Sequence, residues 1–145
     1  YGYYDNFEIE SSHLIPGLIS KFLHAKNNNK KEIILWGTGN ARREFLFTSD
    51  LTNFIVKKLM KNTIFKDPFI NIGYGKDFKI IDYYKKIQKI LKTNFKFIFD
   101  TNQPEGVQRK LMDSSLAINK YKWLPTFNLN EGIKKTIQYY EKQKI

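Results

Sequence analysis

The spacing of apolar residues along the chain predicts helices and strands in alternation. In five stretches apolar residues recur every third or fourth position, which is the helical period. The predicted helices span residues 13–26, 51–60, 80–92, 114–121 and 130–144. Short apolar or alternating runs predict strands at residues 33–36, 43–47, 69–73 and 95–99. Because strands and helices interleave, the sequence predicts an α/β fold.

A glycine-containing run separates the first two predicted strands. Gly37-Thr38-Gly39-Asn40 follows residues 33–36 and precedes residues 43–47. It has neither the third glycine of a dinucleotide fingerprint nor the Lys-Ser/Thr pair of a P-loop, so it is weak as a nucleotide motif. Strand, tight turn and strand together predict a β-hairpin.

Length and composition indicate one packed domain with an excess of positive charge. The 145 residues are 41% hydrophobic and 16% aromatic, which is ample for a core. With 25 basic and 14 acidic residues the net charge is +11, a common feature of proteins that bind nucleic acids. The abundance of Lys, Asn, Ile, Phe and Tyr indicates an A/T-rich coding sequence, which weakens that inference. No nucleic-acid partner is therefore expected.

Several kinds of site and location are disfavoured by the sequence. The chain contains no cysteine, so it holds no disulfide, thiolate metal site or Cys nucleophile. Two separated histidines without clustered acids predict no metal site. No apolar run reaches the roughly 20 residues of a membrane span, and no leader is recognisable, so a cytoplasmic location is expected. The chain opens at Tyr1 rather than Met, as expected of a piece of a longer protein.

The arginines are the most informative charged residues. A chain that otherwise uses Lys carries arginine only at Arg42, Arg43 and Arg109, beside predicted strands. A guanidinium group can bind phosphate through two parallel hydrogen bonds, whereas an ammonium group cannot. This placement predicts a phosphate contact. The alternative is that Arg43 pairs with Glu44 or Asp50.

Two further residues are candidates for ligand chemistry. Trp36 ends a predicted strand, where an indole can stack on a base or a sugar face, although a core position capping the sheet is the simpler interpretation. His13 stands at a helix start, where an imidazole can act as a proton donor or acceptor near neutral pH. The alternative for His13 is a structural role.

Five short motifs, in order and nearly end to end, resemble those of the GDP-L-fucose synthase family of extended short-chain dehydrogenase/reductases. They are Tyr1-Gly2-x-x-Asp5-Asn6-Phe7, Ser12-His13-Leu14-Ile15-Pro16, Trp36-Gly37-Thr38-Gly39 with Arg43-Glu44-Phe45-Leu46, Ile70-Asn71-Ile72-Gly73-x-Gly75, and Pro104-Glu105-Gly106 with Arg109-Lys110-Leu111-Met112-Asp113. The resemblance implies the C-terminal part of a Rossmann-type fold. Residues 1–145 would form mainly the small substrate-binding lobe, with about 45–75 returning to the edge of the cofactor-binding sheet. The N-terminal NADP-binding half would lie outside this chain.

The resemblance also implies an activity. It is the NADPH-dependent 3,5-epimerisation of a GDP-4-keto-6-deoxy sugar followed by reduction at C4, in a cytoplasmic homodimer. His13 matches the catalytic acid, which also lies near the cofactor. The implied substrate-binding residues are Lys21, Trp36, Arg43, Glu105, Arg109 and Lys110. The 145-residue piece alone is expected to be inactive.

Departures from the family pattern leave alternatives open. Tyr3 replaces a proline, Lys21 replaces an arginine, and Phe47-Thr48-Ser49 stands where His-Val-Asp is usual. The sugar is therefore not fixed, and a GDP-4-keto-hexose or heptose C4-reductase without epimerase activity fits nearly as well. A basic nucleic-acid-binding module, supported by charge alone, and a non-catalytic remnant of the fold are the other hypotheses.

Overall fold

The computed structural model describes residues 1–143, which form five helices and five short strands. The helices are α1 (Leu14–Asn27), α2 (Thr48–Met60), α3 (Ile80–Leu91), α4 (Ser115–Tyr121) and α5 (Leu129–Gln143). The strands are β1 (Glu32–Trp36), β2 (Arg42–Arg43), β3 (Phe78–Lys79), β4 (Lys96–Asp100) and β5 (Arg109–Lys110). All five predicted helices and the α/β class are confirmed. Lys144, the last residue of the fifth predicted helix, lies outside the described residues.

The strands form two separate small sheets. β1 pairs with β4 in parallel, with Leu35 opposite Phe99. In the second sheet β2 lies between antiparallel β3 and parallel β5. Parallel neighbours need a crossover connection, and α3 lies in the one between β1 and β4.

The predicted hairpin is wrong, because β1 and β2 belong to different sheets. The turn between them does not join two paired strands, and it forms hydrogen bonds with other elements. Gly37 donates its backbone N–H to Asp100 at the end of β4 (2.8 Å), and the carbonyl of Gly39 accepts from Ile81 at the start of α3 (3.1 Å). The predicted strand at 43–47 is also shortened, to Arg42–Arg43.

The predicted strand at residues 69–73 is absent from the described structure. The sequence has the apolar character of a buried strand, but no backbone hydrogen bond ties this segment to a neighbouring strand within residues 1–143. An extended segment becomes a strand only when its N–H and C=O groups pair with one. Phe69 is 70% exposed.

The core lies between the β1–β4 sheet and helices α1, α3 and α5. The burial of β1 alternates, with Ile33 and Leu35 turned inward and Trp36 outward. The largest fully buried apolar side chains of this core are Ile15, Ile19, Phe22, Leu35, Tyr83, Ile87 and Ile133. The alternation of β1 leaves Trp36 free to face a ligand.

Helix α2 is unusual because its only buried residue is polar. Asp50 accepts hydrogen bonds from the backbone N–H groups of Thr126 (2.9 Å) and Phe127 (3.3 Å). The apolar side chains Ile55, Val56, Leu59 and Met60 are exposed. None of the helices within residues 1–143 has the length and apolar character needed to cross a membrane.

Candidate functional site

A cavity of about 280 Å³ opens where the start of α1, the end of β1 and the loop before β5 meet. Four of the seven predicted site residues line it: His13, Lys21, Trp36 and Glu105. Leu18 and other apolar side chains form much of the remaining wall. Since these residues come from three separate segments, the tertiary fold brings them together.

His13 lies at the rim of the cavity, immediately before the first residue of α1. Its backbone is extended, with φ −68° and ψ 166°, and its carbonyl accepts a hydrogen bond from Gly17 at 3.0 Å. The imidazole is exposed and makes no capping hydrogen bond to the helix. It is therefore available to exchange a proton with a molecule in the cavity.

Ser12 is a polar residue of the cavity wall that the sequence reasoning did not single out. Its Oγ is buried and has no hydrogen-bond partner among residues 1–143. A Cβ at Gly17 would lie 2.4 Å from this oxygen, so glycine leaves the room that the serine needs. Its place in the Ser-His-Leu-Ile-Pro motif is the one sequence signal that points to it. Because a buried hydroxyl without a partner costs free energy, Ser12 is a candidate ligand contact.

Lys21 joins α1 to β1 at the cavity wall. Its Nζ donates to the carbonyl oxygen of Ile34 at 2.6 Å, which leaves two of its three N–H groups for a ligand. Burial lowers the pKa of Lys21. On the same wall, burial raises the pKa of Tyr84 to about 12, so its hydroxyl stays protonated at neutral pH.

Trp36 is 59% exposed at the end of β1, and its interpretation as a core residue is wrong. The core tryptophan is Trp123, which is 2% exposed and donates from Nε1 to the carbonyl oxygen of Gly73 at 2.8 Å. An exposed indole beside a cavity provides a flat apolar surface for a planar ring.

Glu105 is bound to the turn that follows Trp36. Its Oε1 accepts three hydrogen bonds: from Thr38 Oγ1 (2.6 Å) and from the backbone N–H groups of Asn40 (3.1 Å) and Ala41 (3.2 Å). The bond from Thr38, followed by those from the backbone, lowers the pKa of Glu105. This carboxylate is therefore ionised at neutral pH and fixed to the opposite loop.

The second sheet brings all three arginines together. Arg42 lies opposite Arg109 in the parallel pairing of β2 and β5, and Arg43 lies opposite Lys110. Asp77 is buried between two of the guanidinium groups, since Arg42 Nη2 donates to its Oδ1 at 3.0 Å and Arg109 Nε donates to its Oδ2. These hydrogen bonds lower the pKa of Asp77 to about 2.

Arg43 binds backbone carbonyl groups instead of the acids suggested as its alternative partners, so that pairing is wrong. Its Nη1 donates to Arg42 (2.8 Å) and Val107 (2.7 Å), and its Nη2 donates to Glu105 (3.4 Å). Three of the five N–H groups of the guanidinium are thus used, and two remain. Glu44 instead accepts from the N–H groups of Gly75 (2.5 Å) and Met112 (2.9 Å).

The predicted basic residues lie next to the cavity but not in its wall. Arg43, Arg109 and Lys110 are not among the lining residues. Arg43 contacts the loop that carries Glu105, because its guanidinium donates to the Glu105 carbonyl.

Comparison with known proteins identifies the family. A family model described as the NAD dependent epimerase/dehydratase family matches residues 1–73. The chain belongs to this family. The matched residues include His13, Lys21, Trp36 and Arg43 among the predicted site residues.

Two relatives are similar to nearly the whole of this chain. A GDP-L-colitose synthase from Yersinia pseudotuberculosis is 41% identical over 145 residues, covering 99% of this chain and 46% of that protein. A GDP-L-fucose synthase from Azorhizobium caulinodans is 36% identical over 140 residues, covering 97% of this chain and 44% of that protein. The resemblance to GDP-L-fucose synthases is confirmed, and the chain spans about half the length of the curated relatives it matches.

Solved structures share the fold of this chain. A GDP-L-fucose synthetase from Naegleria fowleri matches 99% of this chain and 44% of its own chain, with a TM-score of 0.87 and 20% identity. A GDP-6-OMe-4-keto-L-xylo-heptose reductase from C. jejuni matches 99% of this chain and 51% of its own, with a TM-score of 0.81 and 25% identity. The predicted fold class, part of an extended short-chain dehydrogenase/reductase fold of Rossmann type, is confirmed.

The glycine turn does not fit the dinucleotide that the family's name implies. A Cβ at Gly37 would lie 3.0 Å from the Cβ and Cγ atoms of Glu105, so this side chain fills the space that a phosphate would need. The donors of the turn already serve the carboxylate of the same residue. Within residues 1–143, no three His, Cys, Asp or Glu side chains are grouped as metal ligands.

Proposed function

We propose that this chain forms the substrate-binding part of an NADPH-dependent GDP-4-keto-6-deoxy-sugar 3,5-epimerase/4-reductase of the GDP-L-fucose synthase type. The observation that carries the proposal is the cavity lined by His13, Lys21, Trp36 and Glu105. These residues come from three separate segments of the chain and are among those that the family resemblance implies. The relationship to a GDP-L-colitose synthase and a GDP-L-fucose synthase supports the substrate class.

The nucleotide end of the substrate would use stacking and charge. Trp36 offers its exposed indole to the guanine or to the sugar. A diphosphate extending past the Glu105 loop would meet the two unused N–H groups of Arg43, with Arg109 and Lys110 adjacent in β5. Three N–H groups of Arg109 remain available for a ligand, because Asp77 accepts hydrogen bonds from two of the five.

The sugar end would lie against α1. His13 would return a proton to the substrate carbon during epimerisation, from its exposed position at the cavity rim, after a base outside these 145 residues has removed the original proton. Lys21, together with the second carboxylate oxygen of Glu105, binds the sugar hydroxyl groups. The NADPH required for reduction at C4 would be held mainly outside these 145 residues, with His13 near it. This chain alone would then be inactive.

The part of the chain around residues 45–75 is proposed to complete the edge of the cofactor-binding sheet. Helix α2 buries only Asp50 and exposes an apolar face. The segment at residues 69–73 is apolar and is not hydrogen-bonded to any strand within residues 1–143. Both features are expected of elements that pack against an N-terminal α/β half. The intact protein is proposed to be a cytoplasmic homodimer.

The second candidate function is a GDP-hexose or GDP-heptose C4-reductase without epimerase activity. It is favoured by the structural match to a GDP-6-OMe-4-keto-L-xylo-heptose reductase. Epimerisation by the intact protein would exclude this alternative.

Calorimetric titration of the chain with GDP-mannose, and separately with a short DNA duplex, tests the proposal. We expect saturable binding of GDP-mannose, weakened in Arg43→Ala by about 1.5–3 kcal/mol through loss of a charge-assisted contact. Lys31→Ala, at an exposed lysine in another part of the chain, is the matched control and should bind normally. Salt-sensitive binding of DNA without binding of GDP-mannose would instead support a nucleic-acid-binding module.

A further inference from the structure

Glu105 binds the turn between β1 and β2 through its carboxylate. The loop at residues 101–108 contains no helix or strand, and its Glu105 side chain extends to the turn between β1 and β2. Three donors of that turn converge on a single oxygen, Oε1: Thr38 Oγ1 and the N–H groups of Asn40 and Ala41. A carboxylate that accepts this many hydrogen bonds is held in one orientation.

The contact between Glu105 and the turn is also a packing contact. Gly37 has φ +68°, and a Cβ there would lie 3.0 Å from the Cβ and Cγ and 3.2 Å from the Cδ of Glu105. The glutamate stem therefore lies directly on the Gly37 backbone. Since Gly37 follows Trp36, the position of Glu105 affects where the end of β1 and its indole lie.

The same loop is held from its other side by Arg43. Arg43 donates to the carbonyl groups of Glu105 and Val107, so its guanidinium fixes the backbone while the Thr38 turn fixes the side chain. These contacts, together with a hydrogen bond from the Arg42 N–H to the Gln108 carbonyl (2.7 Å), hold the loop in place of secondary structure. Pro104 and Glu105, which line the cavity, are positioned by them.

We propose that Glu105 is a positioning residue, which locks the Thr38–Ala41 turn to the loop at residues 101–108 and so sets the separation between Trp36 and the opposite wall of the cavity. This inference rests on the proposed function for its ligand. It adds that Thr38, which does not line the cavity, contributes to sugar-nucleotide affinity through Glu105. A glutamate that only touched the substrate would not require Thr38.

The first arm of the test needs no ligand. Amide hydrogen exchange of Asn40 and Ala41 in the 145-residue chain directly reports the hydrogen bonds between Glu105 and the turn, because both N–H groups donate to Glu105. We expect Glu105→Gln to accelerate exchange at these two amides about tenfold, since a neutral acceptor forms weaker bonds. Glu10→Gln, at an exposed glutamate in another part of the chain, should leave them unchanged. Unchanged exchange in Glu105→Gln would overturn the proposal.

The second arm measures the affinity for GDP-mannose in a double-mutant cycle. Thr38→Val removes the hydroxyl donor and should weaken binding about threefold to tenfold, whereas Thr38→Ser retains the hydroxyl and should restore it. In Glu105→Gln/Thr38→Val the loss should be smaller than the sum of the two single losses in free energy, as for groups that act as a unit. Full additivity, or normal affinity in Thr38→Val, would overturn the coupling between turn and cavity.

The two measurements distinguish a failure of the proposed function from a failure of the positioning role of Glu105. If the parent chain binds no GDP-mannose but exchange at Asn40 and Ala41 responds to Glu105→Gln, the proposed function fails while the contact between Glu105 and the turn is supported. If GDP-mannose binds but exchange does not respond, the positioning role fails alone.

Discussion

Arg42 binds both the side chain and the backbone of Asp77, with Nη2 at 3.0 Å from Oδ1 and 2.9 Å from the carbonyl oxygen. Asp77 is 7% exposed and also accepts two hydrogen bonds from Arg109. One carboxylate thus joins β2, the start of β3 and β5, which together form the sheet beside the cavity.

Stability should depend on the ionisation of Asp77. Its pKa is lowered from 3.8 to about 2 in the folded chain, so its contribution is present above the unfolded value and is lost as the pH falls through the folded value. We expect the difference in Tm between the parent chain and Asp77→Asn to be large near pH 7. It should shrink between about pH 4 and pH 2, where the parent becomes protonated.

Thermal unfolding of both chains across this range measures the effect. Glu10→Gln is the control, because Glu10 is exposed, and its Tm should track that of the parent throughout. If the difference in Tm between the parent chain and Asp77→Asn stays constant with pH, the shape of this side chain rather than its charge determines its contribution to stability.

Substitution of Trp36 should affect mainly ligand binding, whereas substitution of Trp123 should affect mainly stability. Trp36→Leu removes an exposed indole and should weaken GDP-mannose binding by about 1 kcal/mol with little change in Tm. Trp123→Leu opens a buried site and leaves the Gly73 carbonyl without its donor, so it should lower the free energy of unfolding by about 3 kcal/mol. Calorimetry and urea unfolding measure the two quantities. A large loss of stability in Trp36→Leu would contradict this division.

His13 should matter most for epimerisation. In the full-length protein, His13→Ala should reduce epimerisation by about 10²–10⁴-fold, the range expected for loss of a general acid. Reduction at C4 should fall much less. Incorporation of solvent deuterium at C3 and C5 measures the first step, and NADPH consumption with an already epimerised substrate measures the second. Equal losses in both steps would indicate a structural histidine.

Two glycines offer a matched test of the contact with Glu105. Gly37 and Gly75 have φ +68° and +80°, but a Cβ at Gly37 would meet Glu105 whereas one at Gly75 would meet nothing within 4 Å. Gly75→Ala should cost about 1 kcal/mol from backbone strain alone. Gly37→Ala should cost roughly 1 kcal/mol more because it adds a close contact to the same strain. Urea unfolding of both variants measures the difference, and equal costs would show that the Glu105 side chain gives way.

The helices and the β1 and β4 strands were predictable because their signal is local. Helical spacing and strand alternation within about ten residues set each element. The pairing of β1 was not predictable in this way, because its partner β4 lies far along the chain and the intervening turn resembles that of a hairpin. The segment at residues 69–73 has the composition of a strand but no neighbouring strand within residues 1–143.

The site was predictable in its residue types but not in its hydrogen bonds. Residue chemistry and family resemblance singled out His13, Lys21, Trp36 and Glu105, which share one cavity. Nothing local in the sequence indicated that Asp77 would bind two arginines, since this contact depends on the packing of three distant strands. Arg42 and Arg43 lie far from Arg109 in the sequence, and no local pattern indicates that β2 and β5 pair in one sheet.

The parallel pairing of β1 with β4 has a consequence for synthesis on the ribosome. Residues 1–73, which the family model matches, include β1 but neither α3 nor β4. When these residues have emerged, Ile33 and Leu35 can pack against α1 but still lack β4 and α3, which complete this core within residues 1–143. The pairing of β1 with β4 therefore forms only after Asp100 has left the exit tunnel, later than the whole of the segment that the family model matches.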